Sequence, residues 1–468
     1  MRAERLPTLA LVALTGCVAT SVREDLARVR ERVRGPLPSE AAVLGDVDPN
    51  PDAELRRLLA APLTVDDAVR AAMAGNRQLR ATLRELGIPR GRLLQASLPP
   101  NPAVEFDLRY QQDRSQTLQG DLTVEFALTR ALLAPARASA ARSELEAAQV
   151  RAAGAVLELG FATRAAFFAA QASQERLAVA QRSLDALAAG RDAARALVGA
   201  GNAPELELAA REAAYETARV AVAELELEAL DRREAVVRLL GLRGDEAWSA
   251  RGALAAVPDE APLAGATEAR ALRASLELSL LRARMDAAAR RVGLSRAEGW
   301  LPDITVDVHG EQDGTSLELG GGARVTLPTF DRRQGQTAAL EAEFDGLLER
   351  HHGLAADLRS ALRVARNRVR SSHARARHLD AVVLPARARV LEQTVLQYNA
   401  MNLGPFQVLQ ARREQLDAEL AQVEARREYW TAVAALDTLL EGWRVSPGGG
   451  FSAPGSMGAS QDTPEGGH

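Results

Sequence analysis

A single cysteine, Cys17, stands in 468 residues, so no disulfide can close within the chain and no cysteine-rich metal site can form. Basic excess is missing too. The formal net charge is −4, which argues against a nucleic-acid partner, because such binders present a basic face and a high isoelectric point. Histidine is scarce: His373 and His378 stand five apart and share no helical face, while His351 and His352 are adjacent and point apart, so no spacing closes a metal site. Neither a phosphate-binding glycine loop nor a nucleophile motif occurs, and Gly320-Gly321-Gly322 leads from one strand pattern into another, so no catalytic, cofactor or metal-binding residue is assigned. The chain does not read as an enzyme. Outside the leader no apolar run reaches about 18 residues, so no transmembrane helix is expected. Few aromatics and abundant Ala, Leu, Arg and Glu point to a long helical protein.

What is present is an internal repeat. Val198-Gly199-Ala200-Gly201-Asn202-Ala203-Pro204 is a turn between two Ala/Leu/Arg/Glu-rich segments, and Tyr398-Asn399-Ala400-Met401-Asn402-Leu403-Gly404 echoes it 200 residues later. Around both turns apolar residues recur at alternating spacings of three and four, the period of one helix packed along another. Leu177, Ala180, Leu184 and Leu187 approach the first turn and Tyr215, Ala218, Val222 and Leu225 leave it, with Arg191 and Arg232 as interruptions. Leu384, Ala388, Leu391 and Val395, then Leu416, Leu420 and Val423, repeat the arrangement, interrupted at Arg413 and Arg427. The pattern predicts two antiparallel helical hairpins whose approaching helices start near Leu132 and Arg332 and run roughly 100 Å each.

The first residues carry a basic start at Arg2 and Arg5, an apolar core from Leu9 to Leu14, and Leu14-Thr15-Gly16-Cys17, which resembles a bacterial lipobox. This predicts a signal peptide over 1–16 and lipidation of Cys17, hence the envelope of a Gram-negative bacterium. Val18, where an Asp would signal inner-membrane retention, favours the outer membrane. Residues 17–60, with Pro36, Pro38, Pro49 and Pro51, read as a lipidated segment, an extended tether or a wrapping arm, and 444–468 as a disordered Gly/Ser/Pro-rich tail. Between them lie a first repeat over 61–244, a linker over 245–266 and a second repeat over 267–443.

Thr64 is placed to cap a helix, with Asp67 at the capping-box position, and a second helix is expected to end near Ser97, before Leu98-Pro99-Pro100. The period then changes to two. Val104–Tyr110 and Leu122–Leu128, and in the second repeat Ile304–His309 and Leu317–Leu327, alternate apolar with polar residues, a bend being expected at Gly320–Gly322. Two readings stand side by side: half-buried hairpins on a helical body, or outer-membrane strands with one face to lipid. In the second, Glu105, Asp107, Arg109, Glu125, Asp307, His309, Glu318 and Arg324 line a water-filled lumen. Four strands close no barrel, the smallest needing about eight, so several chains must share one. A helix over about 267–296 precedes Trp300, which either anchors at a membrane interface or caps the helical core. Pro385 interrupts the second long helix and should bend it.

These residues together resemble a known family, the outer membrane factors or TolC-like outer membrane efflux proteins, in particular the lipidated members that serve pumps of the resistance-nodulation-division type. The resemblance rests on the lipobox, Leu63-Thr64-Val65-Asp66-Asp67-Ala68 with Asn76, Leu301-Pro302-Asp303, the junction Leu327-Pro328-Thr329-Phe330-Asp331-Arg332-Arg333-Gln334-Gly335, and both turns. It runs from Cys17 to about Trp443, and the order of the motifs, not any one of them, is what is specific. It implies an α+β membrane protein: a homotrimer with a twelve-stranded barrel in outer-membrane lipid and a periplasmic tunnel of helical hairpins. Such a protein is a passive export duct without cofactor, opened when a periplasmic membrane-fusion adaptor and an inner-membrane transporter dock at the hairpin tips, here Gly199, Gly201, Asn202, Asn402 and Gly404. Gln407 and Gln410 stand at the tip of the second repeat, where acids often narrow the pore of relatives as a periplasmic gate; Glu205 and Glu207 in the first repeat either partly substitute for those acids or are solvated residues at a helix start. Two other functions fit the sequence, a duct for type I protein secretion and a coiled-coil scaffold lipoprotein that makes no pore.

Overall fold

The computed structural model describes residues 22–33, 51–110, 118–243, 247–313 and 316–445. The leader, Cys17 and the tail after 445 lie outside the described residues. The chain opens with α1 (Arg23–Val33) and α2 (Pro51–Leu59), followed by α3 (Val65–Gly75), α4 (Arg77–Arg84) and α5 (Gly87–Ser97). Strands β1 (Ala103–Tyr110) and β2 (Leu118–Ala127) lead through a short α6 (Leu128–Leu132) to α7 (Ala134–Gly199), which returns as α8 (Glu205–Leu240). The second repeat runs α9 (Glu268–Ala274), α10 (Leu276–Trp300), β3 (Asp303–Asp313), β4 (Ser316–Thr326), α11 (Gln334–His378), α12 (Leu384–Asn399) and α13 (Pro405–Leu440).

Local chemistry explains the boundaries. The Thr64 hydroxyl accepts from the Asp67 backbone N–H at 3.1 Å while the Asp67 carboxylate accepts from the Thr64 N–H at 3.2 Å, a reciprocal cap that starts α3. The Asn76 side chain caps α4 by accepting from the Leu79 N–H, and Ser275 caps α10 by accepting from the Leu278 N–H, so the single helix expected over 267–296 is two helices broken at Ser275. Pro385 does not end the second long helix. A π-helical turn over Leu379–Val383 lies just before it, with the Leu384 N–H donating to the Leu379 carbonyl, and the helix continues as α12. With 66 residues, α7 is about 99 Å long at 1.5 Å per residue. It contains a window apolar enough to cross a bilayer, but 67% of that window is buried in protein, so its apolarity is used by packing.

Near the sheet, α7 lies between α5 and α10, with α11 beyond α10; toward the turns it lies between α8 and α13, with α11 and then α12 beyond α13. The result is a row four helices wide in each half. Against α7 pack α1 and α3, whose buried Leu26, Val29, Val33, Val69 and Ala72 join Val150, Ala153 and Leu157 in one core. Of the two forms expected over 17–60, an extended tether or a wrapping arm, the extended tether is overturned for 23–33 and 51–59, which are helices packed on the body. Asp25, fully buried on α1, fixes this packing: Arg90 donates to both its oxygens at 2.7 and 2.8 Å and Gln149 donates to one at 2.8 Å.

Candidate functional site: a half-wetted sheet and two exposed turns

The four strands form one antiparallel sheet in the order β1-β2-β3-β4. Directly opposed residues of an antiparallel pair share a face, so register decides what each face carries. Val104 lies opposite Val124, which lies opposite Val308, and Phe106 opposite Leu122. On β4, Ala323 and Val325 answer Val306 and Ile304. One face is therefore apolar except for Gln312, opposite Gly120 and Leu317, and it is bare: Phe106 is 64% and Leu319 78% exposed. At its base Trp300 is 75% and Phe330 94% exposed, the Arg332 guanidinium lying 5.5 Å from the Trp300 ring centre. In this chain Trp300 does not cap the helical core.

The other face carries Glu105, Asp107, Arg109, Glu125, Asp307, His309, Glu318 and Arg324. All eight residues expected on one side stand there together. Further acids belong with them, by register Asp303 and Asp313 at the two ends of β3 and, between these, Asp121 and Glu311. Asp107 lies opposite Asp121, Asp121 opposite Glu311 and Glu311 opposite Glu318, a row of four carboxylates crossing every strand. Like charges directly opposed repel, and Arg109 partly offsets this with oxygens of Asp107 and Asp121 each at 3.3 Å. Sequence reading missed Asp121 and Glu311 because β2 starts earlier and β3 ends later than the clean alternation. Arg324 reaches over β3 to Glu125 at 3.5 Å. The bend expected at Gly320–Gly322 is absent: β4 runs straight through, Gly320 opposite His309 and Gly322 opposite Asp307. Those two side chains lie over the glycines; a Cβ on Gly322 would stand 2.7 Å from an Asp307 oxygen and one on Gly320 would overlap the His309 ring, so either substitution would make the side chain above it move.

Far from the sheet, the two turns have the same backbone. Asn202 N–H donates to the Leu197 carbonyl at 2.8 Å and Gly201 N–H to Val198 at 2.9 Å; Asn402 donates to Gln397 and Met401 to Tyr398, both at 2.9 Å. This is the Schellman pattern, with the left-handed residue at the same place in each. Gly201 takes that role at φ 72°, but its counterpart is Met401 at φ 58°, 93% exposed. Gly199 and Gly404 do not use left-handed conformations: Gly199 ends α7 and Gly404 is extended at φ −80°. Asn202 and Asn402 satisfy freed carbonyls through their backbone N–H groups.

Of the four gate candidates, Glu207 is held by Arg211 at 2.6 and 2.9 Å, and the Arg211 guanidinium lies 4.4 Å over the Phe406 ring, joining the first turns of α8 and α13. Gln410 donates to Glu414 at 3.0 Å. Glu205 stands with Glu207 in the first turn of α8, whereas Gln407 lies in the first turn of α13 and Gln410 in its second. Higher on the first hairpin, Arg191, an interruption in the apolar series, stacks 4.2 Å over the Tyr215 ring and so joins α7 to α8. Among the described residues no group of acids, histidines or cysteines is arranged to hold a metal ion.

A bare sheet, apolar on one face and charged on the other, carried on helical hairpins whose longest helix, α7, runs about 99 Å, has the form of outer-membrane channels with a helical tunnel. No protein-family profile matches the chain. The cobalt-zinc-cadmium resistance protein CzcC of Cupriavidus metallidurans is 27% identical over 394 residues, 82% of this chain and 91% of that protein. Among solved structures, a membrane protein of Pseudomonas aeruginosa superposes with a TM-score of 0.68 at 20% identity, covering 84% of this chain and 91% of the other. CusC, whose structures concern transmembrane channel formation, gives 0.67 at 16% identity over 81% and 92%, and the outer membrane protein VceC of Vibrio cholerae 0.65 at 17% over 84% and 97%. In fold the chain is therefore similar to these solved outer-membrane channels, and in sequence to CzcC.

Proposed function

We propose that the chain is the outer-membrane component of a tripartite efflux system, a passive duct for small molecules or metal ions. The observation that carries this is the sheet, apolar on one face and charged on the other, with only one neighbour for each of β1 and β4. Unpaired strand edges and a bare apolar face are unstable in water; lipid and further strands supply what both lack. The helices are open at the same ends as the sheet, α8 presenting Leu227 and Leu230 on one side and α12 Val390 and Leu396 on the other. Edges that differ in this way join head to tail and close into a ring. Three copies of four strands satisfy the lower limit for a barrel.

The charged face then lines water, and Cys17, lipidated after leader removal, adds a second hold on the membrane. The turns reach toward the inner membrane, where adaptor and pump would meet Gly199, Gly201, Asn202, Asn402, Gly404 and the exposed Met401, with Glu205, Glu207, Gln407 and Gln410 around the aperture. The relation to CzcC makes divalent metal ions the first solutes to try. The test is conductance in planar bilayers with purified protein, together with metal sensitivity of a deletion strain. Absence of any channel, with the protein folded and in the membrane, rejects the duct and leaves the scaffold reading.

A further inference from the structure

All 58 basic side chains of the sequence are arginine, and no lysine occurs. Across the helices these arginines commonly meet carboxylates, as in Arg426–Glu175 and Arg176–Glu228, at 2.8 and 2.9 Å. One group is different. Arg92 on α5, Arg151 on α7, Arg284 on α10 and Arg350 on α11 line a single concavity of about 560 Å³, and none of them forms an ion pair among the described residues. Three carboxylates share its wall. Glu144 and Glu343 are engaged by Arg291 at 3.8 and 3.2 Å, which leaves Glu85 as the remaining acid against four guanidinium groups. The crowding is energetic as well as geometric: desolvation first, then repulsion from Arg151 and Arg350, pulls Arg284 below the usual arginine pKa.

The side of the molecule on which this lies follows from α7. Glu146 and Gln149 face α1, through Arg32 and Asp25. Glu144 and Arg151 stand two residues from these, a rotation of about 200° at 3.6 residues per turn. The concavity therefore opens on the face of the helical row away from α1, and all four helices of the row contribute to it.

We propose that this concavity is an oxyanion station on the inner wall of the duct, occupied by a small multiply charged oxyanion of the phosphate or sulfate type. Guanidinium groups favour that chemistry because their planar forks donate paired hydrogen bonds to adjacent oxygens, which chloride does not offer. Converging from separate helices, they can engage different oxygens of one tetrahedral anion, and the volume leaves room for its water. The assignment to the inner wall rests on the efflux-duct reading; the anion chemistry rests on the arginines alone. One consequence concerns transport. A free divalent cation descending from the tips toward the acidic sheet would meet a ring of unneutralised arginines, and a resident oxyanion removes that barrier.

The test uses the full-length protein purified from membranes in detergent, titrated calorimetrically with inorganic phosphate and separately with sulfate, in chloride at constant ionic strength. Saturable binding near one site per chain is expected. Arg284→Gln, Arg151→Gln and Arg350→Gln should each weaken it by roughly tenfold or more, while Arg28→Gln, on α1 at the other side of α7, should not. Size-exclusion profiles identify variants that assemble normally, and with three independent removals one misfolded variant does not decide the question. No saturable binding by the unmodified protein, or equal binding by all assembled variants, overturns the station. Bilayer conductance is measured on the same preparations: conductance without oxyanion binding rejects the station and keeps the duct, whereas binding without conductance supports the station and rejects the duct.

Discussion

Asp25 shows what a single residue can do that its sequence context conceals. In the sequence it is one charge in a charged segment, yet it is fully buried and bonded to Arg90 and Gln149, residues 65 and 124 positions away. Nothing local encodes those partners, which is why the segment read as a tether. Removing one member of a buried pair leaves the other charge uncompensated, so Asp25→Ala should destabilise the protein by about 3–5 kcal/mol and release α1. Denaturant melts and protease sensitivity near residue 30 measure this. Three other acids respond to pH. Burial, the largest cause in each case, raises the pKa of Glu158, Glu277 and Asp437 despite opposing help from Trp443, Arg444 and Arg164 respectively. Between the ordinary carboxylate range and these raised values the native state holds more protons than the unfolded chain, so stability falls as pH rises through that window. Thermal midpoints should therefore improve on mild acidification, and Glu158→Gln with Asp437→Asn should flatten the slope.

At the scale of elements, the signals that survive in sequence are local ones. The Thr64 cap, the proline stop after Ser97, the alternation in the strands and the length of α7 are all set by neighbours in the chain, and each is found where it was read. Cross-strand register is not local, and so the carboxylate row escaped. Its role is open to measurement: Asp121→Asn with Glu311→Gln should lower the cation over anion preference in reversal-potential experiments, since two of four acids in the row become neutral. An unchanged reversal potential would remove the row from the permeation path. The joint between α3 and α8 was equally hidden. Gly241 ends α8 at φ 74°, and a Cβ there would overlap the Gly75 carbonyl. Gly241→Ala should cost about 1–2 kcal/mol for backbone conformation and about 1–3 more for overlap, seen as a lower denaturation midpoint.

For the whole molecule, the 200-residue repeat was legible because both halves must build the same hairpin, and α7 and α11 begin 200 positions apart, at Ala134 and Gln334. How the tips work was less legible, since the sequence suggests glycine at each turn and the structure uses Gly201 in one and Met401 in the other. A left-handed methionine costs roughly 1–2 kcal/mol relative to a permitted conformation, and exposure gives it no burial in return. Retention of a large apolar side chain there is explained if it is presented to a partner. Met401→Gly should then make the turn itself more stable while weakening crosslinking to the adaptor and restoring solute sensitivity to cells. Gly199→Phe provides the complementary case: no atom lies within 4 Å of a Cβ at Gly199, so the variant should fold and reach the membrane normally, and any loss of export reports on docking alone. If both variants assemble, crosslink and export like the unmodified protein, the proposed docking at the tips is wrong, and the exposed edges of α8 and α12 become the next surfaces to crosslink.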